Sequence, residues 1–361
     1  MIDIKKINLE KDRRIIVVSD IHASLKMFKR LLKKVNYTDE DYLFINGDLC
    51  EKGYNSLEVI EFVRRMTLNT KRIFVTKGNS DIVHRYVFEG NEGIYNYMKN
   101  RKQSVLNEML ELHRKALDDF QNLDELGDFY YKHFKNEIDW LDSLPIAYET
   151  NEYIIVHAGL NGTIEQTDEV AALTIPSFYE RGHSEEKFVI VGHWPVGNYR
   201  TNVVASNNPL IDYNKRIVAI DGGNRIKRAG QLNALIIEKD NYSYAYIDTL
   251  TEQRYIQQDY SPKELITGAI CYPNYDMTIL REEQYFTLCK NNNTNFKQWV
   301  KNEYLAKEKE GKSVALRDVS TTFLSVYAGE KVSIIDDTCQ GYRLIKKKSG
   351  EMGWIPNYCF Q

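Results

Sequence analysis

The sequence predicts an α/β protein with a helical insertion, followed by a small all-β region, and three observations carry that prediction. Short runs of four or five apolar residues recur, and each stops at a polar residue of metal-ligating type. Between several of these runs the apolar residues repeat at helical spacing. Beyond residue 250 the alternation of strand and helix ends, and short segments with period-two apolar positions replace it.

The first strand is Ile15-Ile16-Val17-Val18, followed by Ser19-Asp20-Ile21-His22-Ala23-Ser24. Four consecutive apolar residues suit a strand buried on both faces. Side chains two apart on an extended segment point the same way, so Asp20 and His22 could grip one ion together. The plain alternative is an Asp that caps the next helix and a His packed in a loop. Leu25, Phe28, Leu31, Leu32 and Val35 then fall on one face of a helix. Tyr42 to Ile45 is a second buried strand, and Asn46-Gly47-Asp48 puts a carboxylate at its end, with Gly47 allowing a tight backbone. A helix over Leu57 to Met66 leads to a strand over Arg72 to Thr76, which ends in Lys77-Gly78-Asn79-Ser80-Asp81.

Residues 91–144 read as two or three inserted helices, broken at Gly127 and closed by Pro145. His84, His113 and His133 lie in or near this stretch without a ligand partner at metal spacing, so surface or packing roles suit them. The strands then resume. Tyr153 to Val156 ends in His157-Ala158-Gly159, Phe188 to Val191 in Gly192-His193, and Ile217 to Ile220 in Asp221-Gly222-Gly223. In open α/β sheets the reactive site gathers at the carboxyl ends of strands, so these residues have a physical reason to converge. Carboxylates, an amide oxygen and imidazoles without a thiolate suit a pair of divalent ions, manganese first, iron or zinc next. Two such ions about 3.5–4 Å apart clamp phosphorus and turn a bridging water into a hydroxide nucleophile for in-line attack.

Composition narrows the classes. With 361 residues the chain has room for two or more domains, and a net charge of -3 gives no basic footprint for nucleic acid. Lys346-Lys347-Lys348 reads as a solvated turn. No apolar run approaches the length of a membrane span, and Met1 leads into a charged segment, so a cytoplasmic protein is expected. Cys50, Cys271, Cys289, Cys339 and Cys359 form no Cys-x-x-Cys pair and suit a reducing compartment. Cys50, lying among the candidate ligands, could be oxidised if exposed.

The order Ser19-Asp20-Ile21-His22, Gly47-Asp48-Leu49-Cys50-Glu51-Lys52-Gly53, Gly78-Asn79-Ser80-Asp81, His157-Ala158-Gly159, Gly192-His193-Trp194-Pro195 and Asp221-Gly222-Gly223 resembles the calcineurin-like metallophosphoesterases. Within them it is most similar to the PPP family of serine/threonine protein phosphatases, including its bacterial members and the diadenosine tetraphosphatases. The resemblance implies a β-sandwich flanked by helices over residues 1–250. It implies that Asp20 and His22 hold a first ion, that Asp48 bridges both, and that Asn79, His157 and His193 hold the second.

The departures fall on substrate handling. The family places a His after the motif's Asn to protonate the leaving oxygen, and an Asp to orient that His. Here these positions are Ser80 and Glu51. The family's phosphate-gripping Arg is Lys52, which keeps the charge but gives up planar bidentate contact. Arg181 is the one Arg available as a second phosphate ligand between His157 and His193, and His84 could substitute as acid. Candidate catalytic residues are therefore Asp48, Glu51, Lys52, Ser80 and His84, with Lys52 and Arg181 as substrate-binding residues.

Residues 251–266 read as a connection. Residues 311–361, with Val332, Ile334, Tyr342, Leu344 and Gly353-Trp354-Ile355-Pro356-Asn357-Tyr358, resemble an SH3 domain, and 267–308, with Gln298-Trp299-Val300-Lys301-Asn302-Glu303-Tyr304, resemble a degenerate copy. Such modules hold proline-rich peptides, although Arg317 and Val319 stand where aromatic residues are expected, so packing by another face is as reasonable. The expected function is a serine/threonine-type phosphoprotein phosphatase with atypical substrate residues. A phosphodiesterase or dinucleoside polyphosphate hydrolase, and a metal-bearing binding protein, are the alternatives.

Overall fold

The computed structural model describes residues 2–239, 241–307 and 312–361. The chain divides into two compact units, the first holding residues up to 194, 209–226 and 231–248, the second 195–208, 227–230 and 249–361.

The first unit begins with β1 (Ile4–Lys6), β2 (Ile15–Val18), α1 (Leu25–Lys34), β3 (Tyr42–Asn46), α2 (Ser56–Asn69) and β4 (Ile73–Thr76). The insertion follows as α3 (Arg85–Phe88), α4 (Gly93–Asn100), α5 (Val105–Leu112) and α6 (Leu123–Ser143). Next come β5 (Ala147–Glu149), β6 (Tyr153–Val156), α7 (Glu169–Thr174), α8 (Phe178–Arg181) and β7 (Phe188–Val191). After β8 (Ala205–Ser206), a strand of the second unit, the first unit ends with β9 (Leu210–Asp212), β10 (Ile217–Ala219), β11 (Gln231–Glu238) and β12 (Asn241–Asp248).

These strands form two sheets, one ordered β1-β5-β6-β7-β10-β9 and the other β12-β11-β2-β3-β4. Strands β2, β3 and β4 run parallel, as do β6, β7 and β10. The apolar runs are continuous because both faces of β2 and β3 are covered. Ile15, Val17, Tyr42 and Phe44 pack with Tyr148, Ile155, Ile190 and Val218 of the opposite sheet. Ile16, Val18, Leu43 and Ile45 share a core with Phe28, Leu31, Val59 and Val63 of the helices. The result is a mixed α/β sandwich with helices on the outer face of one sheet.

In the insertion, Ser104 caps α5 by accepting from the Leu106 N–H at 3.2 Å, and Asn122 caps α6 by accepting from the Glu125 N–H at 2.9 Å. Gly127 does not break the helix. It lies inside α6, where a Cβ would come within 3.3 Å of the Phe88 ring, and the non-helical residue is Phe134 at φ -131°, ψ 24°. Close packing explains that glycine, and the chain bends about two turns later.

The second unit is all-β, as expected. It holds β8, β13 (Gln253–Tyr255), β14 (Ala269–Ile270), β15 (Asp276–Glu282), β16 (Phe286–Asn291), β17 (Lys297–Lys301), β18 (Leu305–Lys307), β19 (Lys312–Ala315), β20 (Val319–Ser320), β21 (Lys331–Asp336), β22 (Tyr342–Lys346) and β23 (Glu351–Pro356). One sheet runs β17-β16-β15-β19-β18, another β13-β21-β22-β23-β8, and β14 pairs with β20. Trp354 is fully buried and donates its indole N–H to the Ser320 carbonyl at 2.7 Å. Three features depart from expectation. Residues 253–255 form an edge strand rather than a connection, β8 and residues 227–230 come from within the span expected to be the first domain, and Lys346 is buried in β22 rather than solvated. No helix of the described residues is long and apolar enough to cross a membrane.

Candidate metal centre

The centre is built where β2, β3, β4, β6 and β7 end. Asp20 and His22 follow β2, Asp48 follows β3, Asn79 follows β4, His157 follows β6 and His193 follows β7, so two parallel sets of strands deliver all six expected ligands. Asp20, His22, Asp48 and His193 all have positive φ, at 55°, 46°, 52° and 62°. A non-glycine residue there is strained and persists only where its surroundings hold it. Here the His22 and Ala23 N–H groups donate to the Asp48 and Leu49 carbonyls at 2.9 and 2.8 Å, and the buried Asn224 side chain donates to the Ile21 carbonyl at 2.8 Å.

Ligand atoms of Asp20, His22 and Asp48 lie within 4.8 Å of one another, and all three residues are buried. Asp48 stands between two groups. Its Oδ2 is 3.7 Å from His22 Nε2 and its Oδ1 is 3.3 Å from His157 Nε2. Asn79 Oδ1 in turn lies 3.1 Å from His157 Nε2 and 2.9 Å from His193 Nδ1. Backbone carbonyls set two of the imidazole tautomers: Nδ1 of His22 lies 3.0 Å from the Cys50 oxygen and Nδ1 of His157 lies 3.1 Å from the Asn46 oxygen. With those protons on Nδ1, both Nε2 lone pairs face inward, as metal ligation requires.

The electrostatics have the same sense. Burial, reinforced by Lys52, depresses His22 to about 3, and burial with His157 depresses His193 to about 4, so both rings are neutral ligands at neutral pH. Burial and the neighbouring Asp48 push Asp20 up to about 8. Burial also acts to raise Asp48, but His157, His22 and Lys52 outweigh it and hold Asp48 below the ordinary carboxylate range. Asp20 Oδ1 is buried without a hydrogen-bond partner. Turning the Asn79 amide would let its nitrogen donate to both imidazoles, whereas its oxygen facing them makes a third acceptor. An orphaned carboxylate oxygen and converging lone pairs are what divalent ions would satisfy, so the donor set fits two of them.

The other predicted residues divide. Ser80 donates its N–H to Asp48 Oδ1 and its hydroxyl to Asp48 Oδ2, both at 2.8 Å, so it orients the Asp48 carboxylate. Lys52 Nζ lies 3.2 Å from His22 Nε2, a cation already beside the ligands. Glu51 turns toward the insertion, where its buried carboxylate accepts from Tyr97, Ser104 and the Val105 N–H. His84 has its Nε2 3.2 Å from Asp142 Oδ2. Arg181 is exposed, with its Nε donating to the Pro176 carbonyl at 3.1 Å, and is not gathered with the ligands. Cys50 is fully buried and burial pushes its thiol well up, so the exposure on which its oxidation was conditional is absent.

Sequence reasoning missed two residues. Asp81 accepts from the N–H groups of Leu49, Cys50 and Gly78 at 2.8, 3.2 and 2.9 Å, tying two ligand loops together. Its place two residues after Asn79 was the available signal. Asn46 donates its amide to the Val156 carbonyl at 2.9 Å and accepts from Thr76 at 2.7 Å, joining both sheets under His157.

The family model for calcineurin-like phosphoesterases matches residues 13–222, more than half of the chain. A symmetrical bis(5'-nucleosyl)-tetraphosphatase of Buchnera aphidicola subsp. Schizaphis graminum is 32% identical over 147 residues, covering 40% of this chain and 44% of that protein. One of the same name from Nitrosospira multiformis is 31% identical over 163 residues, covering 44% and 49%. The matched part thus spans less than half the length of either relative. A solved structure provisionally assigned as a diadenosine tetraphosphatase aligns at 16% identity and a TM-score of 0.45, over 68% of this chain and 98% of that one.

Proposed function

The chain belongs to the calcineurin-like phosphoesterases, and from that premise we propose that it hydrolyses phosphoanhydrides of nucleoside polyphosphates with two divalent ions, manganese first. When bound, the ions would supply the hydroxide nucleophile and neutralise charge on phosphorus. Asp20 and His22 would hold one, Asn79, His157 and His193 the other, and Asp48 both. Ser80 fixes the rotamer of Asp48, and Lys52 offers a positive charge to a phosphate oxygen.

One observation carries the choice of substrate. The residue after Asn79 is Ser80, whose hydroxyl is committed to Asp48, and His84 is turned to Asp142. Proton donation to a leaving oxygen is worth roughly a hundredfold or more when that oxygen is a poor leaving group, as an alkoxide is. A phosphate leaving group needs no such help. The names of the two relatives agree with this reading, and it moves the expected phosphoseryl substrate to second place.

The test is initial rate with added manganese on diadenosine tetraphosphate, a phosphoserine peptide and bis-p-nitrophenyl phosphate, with Asp48→Asn as control. We expect the dinucleotide to be turned over about a hundredfold faster than the peptide, and Asp48→Asn to abolish turnover. Peptide preference would restore the phosphatase reading, diester preference would favour the phosphodiesterase alternative, and no metal-dependent turnover would favour a binding protein. A cytoplasmic location and a peptide partner for the SH3-like stretch remain proposals, the first supported by five buried cysteines that form no disulfide among the described residues.

A further inference from the structure

Glu51 and Lys52 are consecutive non-glycine residues with φ of 70° and 60°. Each left-handed residue is unfavourable on its own, so a pair of them needs external restraint. The loop is pressed on the ligands, since a Cβ on Gly53 would fall 2.8 Å from Ala23 Cβ and 3.1 Å from the His22 oxygen. Its restraint comes mostly from the insertion. The Glu51 carboxylate accepts from the Tyr97 hydroxyl, from Ser104 Oγ at 3.0 Å and from the Val105 N–H at 2.8 Å. The Glu51 N–H donates to Ser56 Oγ at 3.2 Å, and Glu108 of α5 accepts from the Ser56 and Leu57 N–H groups at 2.7 and 3.2 Å. Helices α4 and α5 therefore grip both the strained loop and the start of the helix that follows it.

We infer that Tyr97 of the insertion, acting through Glu51, is a positioning residue that holds the strained loop so that Lys52 meets substrate phosphate. The inference rests on Lys52 being the phosphate-facing residue of the proposed function. It gives the acidic residue of this motif a different task from orienting an imidazole: it reads the position of an inserted domain element into the site. A purely structural bond would lower stability without acting through Lys52, and the two cases separate in a double-mutant cycle.

Inorganic phosphate is the probe, with its dissociation constant measured by calorimetry on the manganese-loaded full chain. The proteins are wild type, Tyr97→Phe, Lys52→Ala and the double variant. Tyr97→Phe and Lys52→Ala should each weaken phosphate about tenfold, and the double variant should be no weaker than Lys52→Ala alone. Amide exchange at residues 51–54 should quicken in Tyr97→Phe while manganese affinity stays within about twofold. Additive losses overturn the inference. So does unchanged phosphate affinity in a Tyr97→Phe protein with a lowered melting temperature, or wild-type protein that binds phosphate no better than Lys52→Ala. Because the readout is binding, failure of every nucleotide substrate would sink the proposed function and leave this cycle readable.

Discussion

Asn46 sits behind the ligands and touches none of the ions the centre would hold, yet every polar atom of its side chain and its carbonyl is engaged. Its amide nitrogen donates to the Val156 oxygen at 2.9 Å, its amide oxygen accepts from Thr76 at 2.7 Å, and its carbonyl faces His157 Nδ1 at 3.1 Å. Shortening it to alanine leaves buried groups on two sheets unpaired, at a cost of about 1–3 kcal/mol for each. The backbone carbonyl that faces His157 Nδ1 survives that change, so the ligand is disturbed through the loosened contact of β3 with β6 beneath it, and losses in a ligand's outer support typically change metal affinity by about 10- to 100-fold. Asn46→Ala should therefore weaken the ion held by His157, Asn79 and His193 by about that factor, and leave the ion at Asp20 and His22 nearly unchanged. A two-site manganese titration followed by electron paramagnetic resonance reads both constants. Equal weakening of the two would show that Asn46 supports the fold in general rather than one side of the centre.

At the scale of elements, the decisive feature is the strand end. Gly78 precedes Asn79 with ordinary extended dihedrals, φ -111° and ψ 166°, so backbone freedom does not explain it. Space does: a Cβ there would stand 2.2 Å from the Asp48 N and 2.3 Å from Asp48 Oδ1. Gly78→Ala should thus displace the bridging carboxylate, and metal analysis after dialysis against micromolar manganese should find both ions lost from a protein that still folds. Retention of two ions would mean that the β4 end yields instead of Asp48. The same scale decides what the sequence could tell. Strands β2, β3, β6 and β7 were legible because burial on both faces makes their apolar runs continuous, and the six candidate ligands stood out because each follows such a run. Strands β8 and β13, of two and three residues, are too short to show a period. Gly127 misled because its use is an approach by Phe88, a tertiary contact that no local pattern carries, and the bonds of Glu51 were not legible because its partners lie 46 to 54 residues away.

Over the whole molecule, the change in composition near residue 250 marks where the first unit's last strand ends, but the chain does not divide there. Residues 195–208 and 227–230 belong to the second unit, so the C-terminal β region is woven into the sequence of the first rather than appended to it. Within the second unit, β8 adds to β23 through Ala205 and Ser206, Lys227 pairs with Asp318, Arg228 pairs with Asp336 at 2.7 Å, and Ala229 is in the apolar cluster around Trp354. A chain ended at Asp248 keeps every candidate ligand and loses all of these partners. Lys227, with a side chain only 9% exposed, would be stranded without its carboxylate, and β8 would become an unpaired edge open to association. We expect that shortened protein to melt several degrees lower than the full chain and to self-associate, as read by calorimetry and sedimentation, even with manganese present. Equal melting temperature and a monomeric shortened chain would show that segments 195–208 and 227–230 hold their course without the C-terminal sheets, and would make the boundary read from composition the physical one after all.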